Sequence, residues 1–255
     1  MATAIIGHTG FVGGNICKER EFTHYFNTKN INTIKGMEFD ELVITGVPAV
    51  KWLANKEPEN DIKNINALIG NLKHVQAKCV ILISTVDVYP SPVGVNEESD
   101  INIDACQPYG KHRLMFESFI KNHFGRVHIL RLPGLFGYGL KKNIIFDFLN
   151  KNMIESIETR NKFQFYPLSN INNDIDIVKN NNILLLNVAV ESLSVAEVAE
   201  CCGYDNFINE LDRPLVEYDV NTIYGKYWGM EGKYMYSKQH CLNELKKFIL
   251  EYTYE

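Results

Sequence analysis

The sequence has no apolar run long enough to cross a bilayer: Cys79–Ile83 and Ile183–Leu186 fall far short of the ~20 residues a spanning helix needs. It has no excess of positive charge either. Lys and Arg number 26 against 31 Asp and Glu, a net charge of -5, so the basic stripe that neutralises nucleic-acid phosphates is missing. No CxxC pair occurs. The six cysteines stand at 17, 79, 106, 201, 202 and 241, and the adjacent Cys201-Cys202 suits neither zinc nor an easy disulfide. No metal site is therefore expected, and all six read as reduced thiols. No cationic segment followed by a long apolar run opens the chain, and no low-complexity linker or repeat divides it. These absences exclude membrane, nucleic-acid-binding, collagen-like, coiled-coil and disordered classes, and a cytoplasmic protein is expected.

What is present is a globular balance, 45% apolar and 22% charged over 255 residues, enough for one domain with or without a small appended lobe. Short apolar runs alternate with helical patterns, which favours a mostly parallel sheet covered on both faces. Strands are expected at Thr3–Ile6, Phe22–Phe26, Glu41–Thr45, Cys79–Ser84, Val127–Leu132 and Ile183–Ala189. Helices are expected from Gly10 to about Lys18, over Asp61–Val75 (Ile62, Ile65, Leu68, Ile69 and Leu72 recur at helical spacing), and over Tyr109–His123 after Pro108. Ser194 and Glu197 have capping-box spacing for a short helix to Cys201. The Asn-rich stretches Asn27–Asn32 and Asn170–Asn182 read as turns. The pattern predicts an α/β fold: a Rossmann-type, doubly wound parallel sheet over 1–138 with a returning strand near 183–190. A small C-terminal substrate lobe is expected from 139–182 and 191–255.

Three motifs carry chemistry. Gly7-His8-Thr9-Gly10-Phe11-Val12-Gly13 follows the first strand and opens a helix, where missing side chains permit a tight turn and let backbone approach a pyrophosphate. Backbone N–H groups of Gly10 to Val12 are the expected pyrophosphate donors. Thr85, at the end of the buried Cys79–Ser84 run, puts a hydroxyl where a parallel strand meets a ligand crevice. Tyr109 and Arg113 lie four apart and share a helical face, so the cation is expected to favour the phenolate and prepare Tyr109 for proton transfer. No Asp or Glu occurs from Phe22 to Met37, where an NAD enzyme would bind the ribose 2′-hydroxyl. Asn27 and Lys29 stand there instead, so NADP is expected to bind at least as well as NAD, unless Lys29 is simply a solvated loop residue.

Together these residues resemble the extended short-chain dehydrogenase/reductase family, which includes nucleotide-sugar epimerases, reductases and dehydratases, and the resemblance covers most of the chain. It places Gly7, Gly10 and Gly13 on the family's glycine-rich loop. It also makes Thr85 and Tyr109, 24 residues apart, the catalytic hydroxyls. Arg113 takes the place of the family's lysine. The resemblance implies cofactor contacts from Gly7, Thr9, Gly10, Phe11, Val12, Gly13, Asn27, Lys29 and Pro133, and substrate contacts from Asp87, Phe136 and Asn143. It implies a nucleotide-sugar substrate, NADP or NAD as cofactor, and a homodimer built from the helices Asp61–Val75 and Tyr109–His123. Departures are Arg113 itself, Gly134 where many members carry asparagine, a compressed segment between the second and third strands, and Val86 where dehydratases carry Asp. The expected activity is an epimerase or reductase with Tyr109 as general acid/base. The alternative is a dinucleotide-binding relative that has lost turnover and acts as a sensor or scaffold. Lys141, Lys142 and Arg160 are weaker candidates for a substrate diphosphate, and Tyr224, Tyr227 and Trp228 for a sugar or base pocket.

Overall fold

The structure, a computed structural model, describes residues 1–252 and divides into two compact units. The first holds residues 1–90, 99–131 and 170–186, and the second 91–98, 132–169 and 187 onward.

In chain order the first unit begins with β1 (Thr3–Ile6), α1 (Phe11–Ile16), β2 (His24–Phe26), β3 (Glu38–Ile44), α2 (Lys51–Lys56), α3 (Pro58–Leu72) and β4 (Gln76–Thr85). It continues with α4 (Pro108–His123) and β5 (Val127–Leu132). The chain then forms β6 (Gly134–Phe136), α5 (Ile144–Asn150), β7 (Lys162–Phe163) and β8 (Phe165–Pro167) in the second unit. It returns to the first with α6 (Ile171–Asn180) and β9 (Leu185–Asn187), and ends in the second with β10 (Leu193–Ser194), α7 (Val195–Cys201) and α8 (Lys238–Tyr252).

A six-stranded parallel sheet in the order β2-β1-β3-β4-β5-β9 forms the first unit's centre. The chain goes from β1 outward to β2, then crosses back so that β3 lies on the other side of β1. The gap between the ends of β1 and β3 is therefore the point where strand order reverses, the place where open α/β sheets bind ligands. Register fixes what stands there: Ile6 pairs with Phe26 and Ile44, and Ile44 with Leu82. One residue beyond, Gly7, Asn27 and Thr45 share the same sheet edge, and Thr85 ends β4 there.

Burial explains the elements. Val80, Ile81 and Leu82 are at most 1% exposed, so β4 is covered on both faces and needs no polar alternation. Ala4, Ile6, Leu42, Ile44, Ile65, Leu72, Phe116 and Ile120 belong to one apolar cluster that packs α3 and α4 on the sheet. Proline at the first helical position starts both helices, where its missing N–H has no acceptor to lose. The Asn-rich stretch expected as a turn is a helix: Ile171, Ile175 and Val178, at helical spacing, are fully buried, and that stripe overrides the asparagines. Helix α2 is too short for periodicity to reveal, and α1 stops at Ile16, short of the expected Lys18. In the second unit α7 carries the expected capping box, with Ser194 Oγ accepting from Glu197 N–H and Glu197 accepting from Ser194 N–H.

Candidate active site

The glycine loop is tight because backbone and side chains pack directly on it. Gly7 has φ +91°, and a Cβ there would lie 2.6 Å from Gly46 Cα and 2.7 Å from Thr45 Oγ1. A Cβ on Gly13 would lie 2.2 Å from the Gly7 carbonyl oxygen, so only glycine lets α1 close on the loop. Gly10 differs: a Cβ there meets nothing nearer than the Gly7 oxygen at 3.2 Å, and the residue is exposed. Two glycines therefore serve packing and the third leaves an open backbone surface, a cradle that a dinucleotide pyrophosphate fits. One expectation is corrected here. The Gly10 N–H already donates to Gly7 O at 2.9 Å, so the donors left for an anion are Phe11 and Val12, whose N–H groups open α1 without an intrahelical acceptor. Thr9 is exposed beside them, and His8, inside the loop, has its Nδ1 3.1 Å from Phe26 O.

Beyond β2, Asn27 Oδ1 accepts from the Lys29 N–H at 2.9 Å, an Asx turn that leaves the Lys29 residue exposed.

Thr85 and Tyr109 meet. Both are buried, and their side chains share a hydrogen bond. Thr85 Oγ1 also accepts from Asp87 N–H at 3.1 Å. Helix α4 reaches this point because of Gly110, whose Cβ would stand 2.1 Å from the Asp87 carbonyl oxygen. The α4 start is tied to α2 as well: Asn55 Oδ1 accepts the Tyr109 N–H at 2.9 Å, and Asn55 Nδ2 donates to Gln107 Oε1 at 2.6 Å.

Arg113 shares the face of Tyr109 as expected, its guanidinium 4.0 Å from the ring centroid. Its donors, however, point elsewhere. They go to the Asp61 carboxylate on α3, to Pro48 O and, at 3.4 Å, to Tyr109 O, and the side chain is 5% exposed. Asp61 also pairs with His112 Nδ1 at 2.8 Å. Arg113 favours the phenolate, as expected, but burial outweighs it and holds Tyr109 above the usual tyrosine range. Burial is the largest cause; Arg113 opposes it, Asp87 adds to it, and the Thr85 hydrogen bond and Lys51 oppose it. Asp87 is not bare, since Lys51 Nζ on α2 lies 2.7 Å from its Oδ1.

Deeper in the unit, Arg131 and Glu117 form a bidentate pair, Nε to Oε1 at 3.0 Å and Nη2 to Oε2 at 2.7 Å. Ser84 Oγ donates to Glu117 Oε1 at 2.6 Å, and Arg131 Nη1 to the Tyr89 hydroxyl at 2.8 Å. This buried network fixes the segments on either side of Thr85.

Neither a protein-family profile nor a curated protein matches the sequence. Solved structures match over the whole length. An NAD-dependent NDP-hexosamine 5,6-dehydratase of tunicamycin biosynthesis aligns with 100% of this chain and 98% of its own at TM-score 0.77 and 15% identity. A UDP-galactose 4-epimerase covers 99% of each chain at TM-score 0.75 and 16% identity. A dTDP-4-dehydrorhamnose reductase orthologue from Clostridium acetobutylicum covers 99% of this chain and 100% of its own at TM-score 0.71 and 14% identity. The fold, an α/β parallel sheet with flanking helices, is the one these three enzymes share. At these identities the likeness is one of fold.

In the second unit, two expected substrate contacts are otherwise engaged. Phe136 is 2% exposed, its ring 5.8 Å from that of Phe248, so it is a core residue. Asn143 caps α5: its Oδ1 accepts from Ile145 and Phe146 N–H at 3.0 and 3.2 Å, and its Nδ2 donates to Leu135 O at 2.8 Å. Pro133 is half-buried at the step from β5 to β6. Gly134 is required by packing, since a Cβ there would lie 2.7 Å from Gln164 O; an asparagine would not fit. Arg160 is held by Glu158 and Glu210 at 2.9 and 3.2 Å. Tyr224 and Tyr227 pack as neighbours, ring centroids 6.3 Å apart. The sequence reading missed Lys51, Asn55, Asp61 and Glu117. For Glu117 a signal existed: Tyr109, Arg113 and Glu117 fall at successive four-residue steps on one helical face. Among the described residues no group of His, Cys, Asp and Glu could hold a metal, and no helix is long and apolar enough to cross a membrane.

Proposed function

We propose that the protein is an NAD(P)-dependent oxidoreductase or epimerase acting on a nucleotide-linked sugar, and that it works as a homodimer. The observation that carries this reading is the pairing of the Thr85 and Tyr109 hydroxyls at the same sheet edge as the glycine loop, in a fold shared with nucleotide-sugar enzymes. A bound nicotinamide dinucleotide supplies the hydride donor or acceptor. Gly7 and Gly13 keep the loop tight, and Phe11 and Val12 N–H groups receive the pyrophosphate. Thr85 holds the reacting sugar oxygen, and Tyr109 gives it a proton or takes one from it. Burial holds the Tyr109 phenol above its usual range, which favours the protonated form that can donate to a carbonyl oxygen. With no carboxylate between Phe22 and Met37, and with Lys29 exposed, NADP is the better-matched cofactor.

The test is to identify any dinucleotide that copurifies, then to follow the reduced-nicotinamide absorbance as nucleotide-sugars are added. An absorbance change that Tyr109→Phe abolishes supports the reading. A second reading, a dinucleotide-binding protein without turnover, is favoured by the Asp61 and Pro48 contacts that occupy Arg113. Dinucleotide binding with no absorbance change for UDP-, dTDP-, GDP- or CDP-sugars would select it.

A further inference from the structure

Tyr109 stands in the first turn of α4, and that turn does not hold its own start. Pro108, at the first helical position, has no N–H, and Gln107 at the N-cap makes no side-chain bond to the turn it precedes. The helix's own ladder begins with the Lys111 N–H on Gln107 O at 3.0 Å, so the Tyr109 N–H needs an acceptor from elsewhere. Asn55, on α2, supplies it. Its Oδ1 accepts the Tyr109 N–H at 2.9 Å, and its Nδ2 donates to Gln107 Oε1 at 2.6 Å. One amide, 54 residues earlier in the chain, thus does what a serine or asparagine at the N-cap would do locally. A second contact is backbone on backbone: a Cβ on Gly110 would lie 2.1 Å from the Asp87 carbonyl oxygen, so the same turn sits on the segment that follows Thr85. The start of α4 is therefore fixed at two points, and Asn55 is the one made by a side chain.

We propose that Asn55 is a positioning residue for Tyr109: by capping α4 from outside the helix, it sets where the phenol stands against the Thr85 hydroxyl. This rests on the reading of Tyr109 as the proton-transfer group and adds the residue that holds it in place. Without the Asn55 acceptor the Tyr109 N–H loses its partner. The first turn is then free to fray toward water, and the buried phenol moves with it. Proton transfer needs the heavy atoms within hydrogen-bond reach, and a misplacement of about 1 Å costs about 10²-fold in rate.

The experiment replaces Tyr109 with a fluorotyrosine, whose phenol ionises at lower pH, and reads its single ¹⁹F resonance against pH in protein without dinucleotide. Burial is the largest cause of the raised phenol, so a ring released from its seat titrates lower. Asn55→Ala and Asn55→Leu should both lower the midpoint by about half a unit or more. The leucine keeps the bulk and removes the acceptor, which separates loss of the bond from loss of volume. Asn55→Asp keeps an acceptor for the Tyr109 N–H and should stay at or above the parent midpoint, and the exposed Lys56→Ala on the same helix should leave it in place. Arg113, Asp87 and Lys51, the charged groups that act on the phenol, are unaltered in every variant. In turnover, Asn55→Ala should lower kcat about 10- to 10²-fold with KM for the dinucleotide little changed. A midpoint unmoved in both Asn55→Ala and Asn55→Leu, one moved as far by Lys56→Ala, or an unchanged kcat overturns the proposal. The resonance is read without substrate or cofactor, so a parent that turns over no nucleotide-sugar removes the proton-transfer reading while the midpoints still decide whether Asn55 seats the phenol.

Discussion

A cation four residues after a helix-borne tyrosine shares its face, and Arg113 does, but a partner 52 residues earlier takes its hydrogen bonds. Helical spacing is local and was legible; the Asp61 carboxylate comes from another helix and was not. The consequence changes what substitutions there should do. Arg113→Ala leaves Asp61 buried without its guanidinium, a loss of about 3–5 kcal/mol, and unfolding in urea should show it. Arg113→Lys replaces a planar two-ended fork on Asp61 and Pro48 O by one compact ammonium, so it should also unfold more easily, by about 1–3 kcal/mol. Full stability in either variant would mean the buried pair does not hold α3 to α4. The glycines separate in the same way. A Cβ on Gly13 would overlap backbone, so Gly13→Ala should lower the melting temperature by several degrees, whereas Gly10→Ala should melt nearly as the parent does. Equal melting of the two would contradict the packing role assigned to Gly13.

At the scale of elements, strands announced themselves through buried apolar runs, and α3 and α4 through prolines and periodicity. The failures have two causes: burial outweighed local composition in one case, and an element was too short in the other. The stretch 170–182 reads as turn by its asparagines, but three fully buried apolar side chains at helical spacing make it α6. Helix α2 has six residues, fewer than two turns, and it carries Lys51 and Asn55, so the element hardest to read also holds groups that touch the site. A loop tie in the second unit makes a pH prediction. Glu158 accepts from Arg160 and from the Leu211 N–H, and these bonds hold its carboxyl down to about 2 from 4.5. A depressed folded value means the stabilisation is fully present above about 4.5 and is lost as pH falls toward about 2. Hydrogen exchange at the Leu211 amide, compared between parent and Glu158→Gln, should differ at neutral pH and converge as the acid limit is approached. An equal difference at every pH would remove Glu158 ionisation from the account.

For the whole molecule, the reversal of strand order between β1 and β3 sets where chemistry can occur, and the glycine loop lies there because β1 ends there. That much followed from the alternation of strand and helix in the sequence. The substrate side was less legible, since Phe136 and Asn143 matched a pattern but serve the core and a helix cap. Association is a property of the same scale. Leu68, Ile69, Met115 and Phe119 are partly buried against the core, and their remaining surface lies on α3 and α4. Sedimentation at micromolar concentration should give a dimer, which Met115→Lys with Phe119→Lys should convert to monomer; a monomeric parent would end the homodimer proposal.

Titration calorimetry with NADPH and NADH reads directly whether Gly7–Gly13 holds a dinucleotide. One dinucleotide should bind per chain, with NADPH at least as tight as NADH. Tyr109→Phe should bind with the same affinity, and Gly10→Val, whose fold stays intact by circular dichroism, should lose binding. Equal affinity of the parent and Gly10→Val, or no binding to either, would contradict a dinucleotide site at Gly7–Gly13.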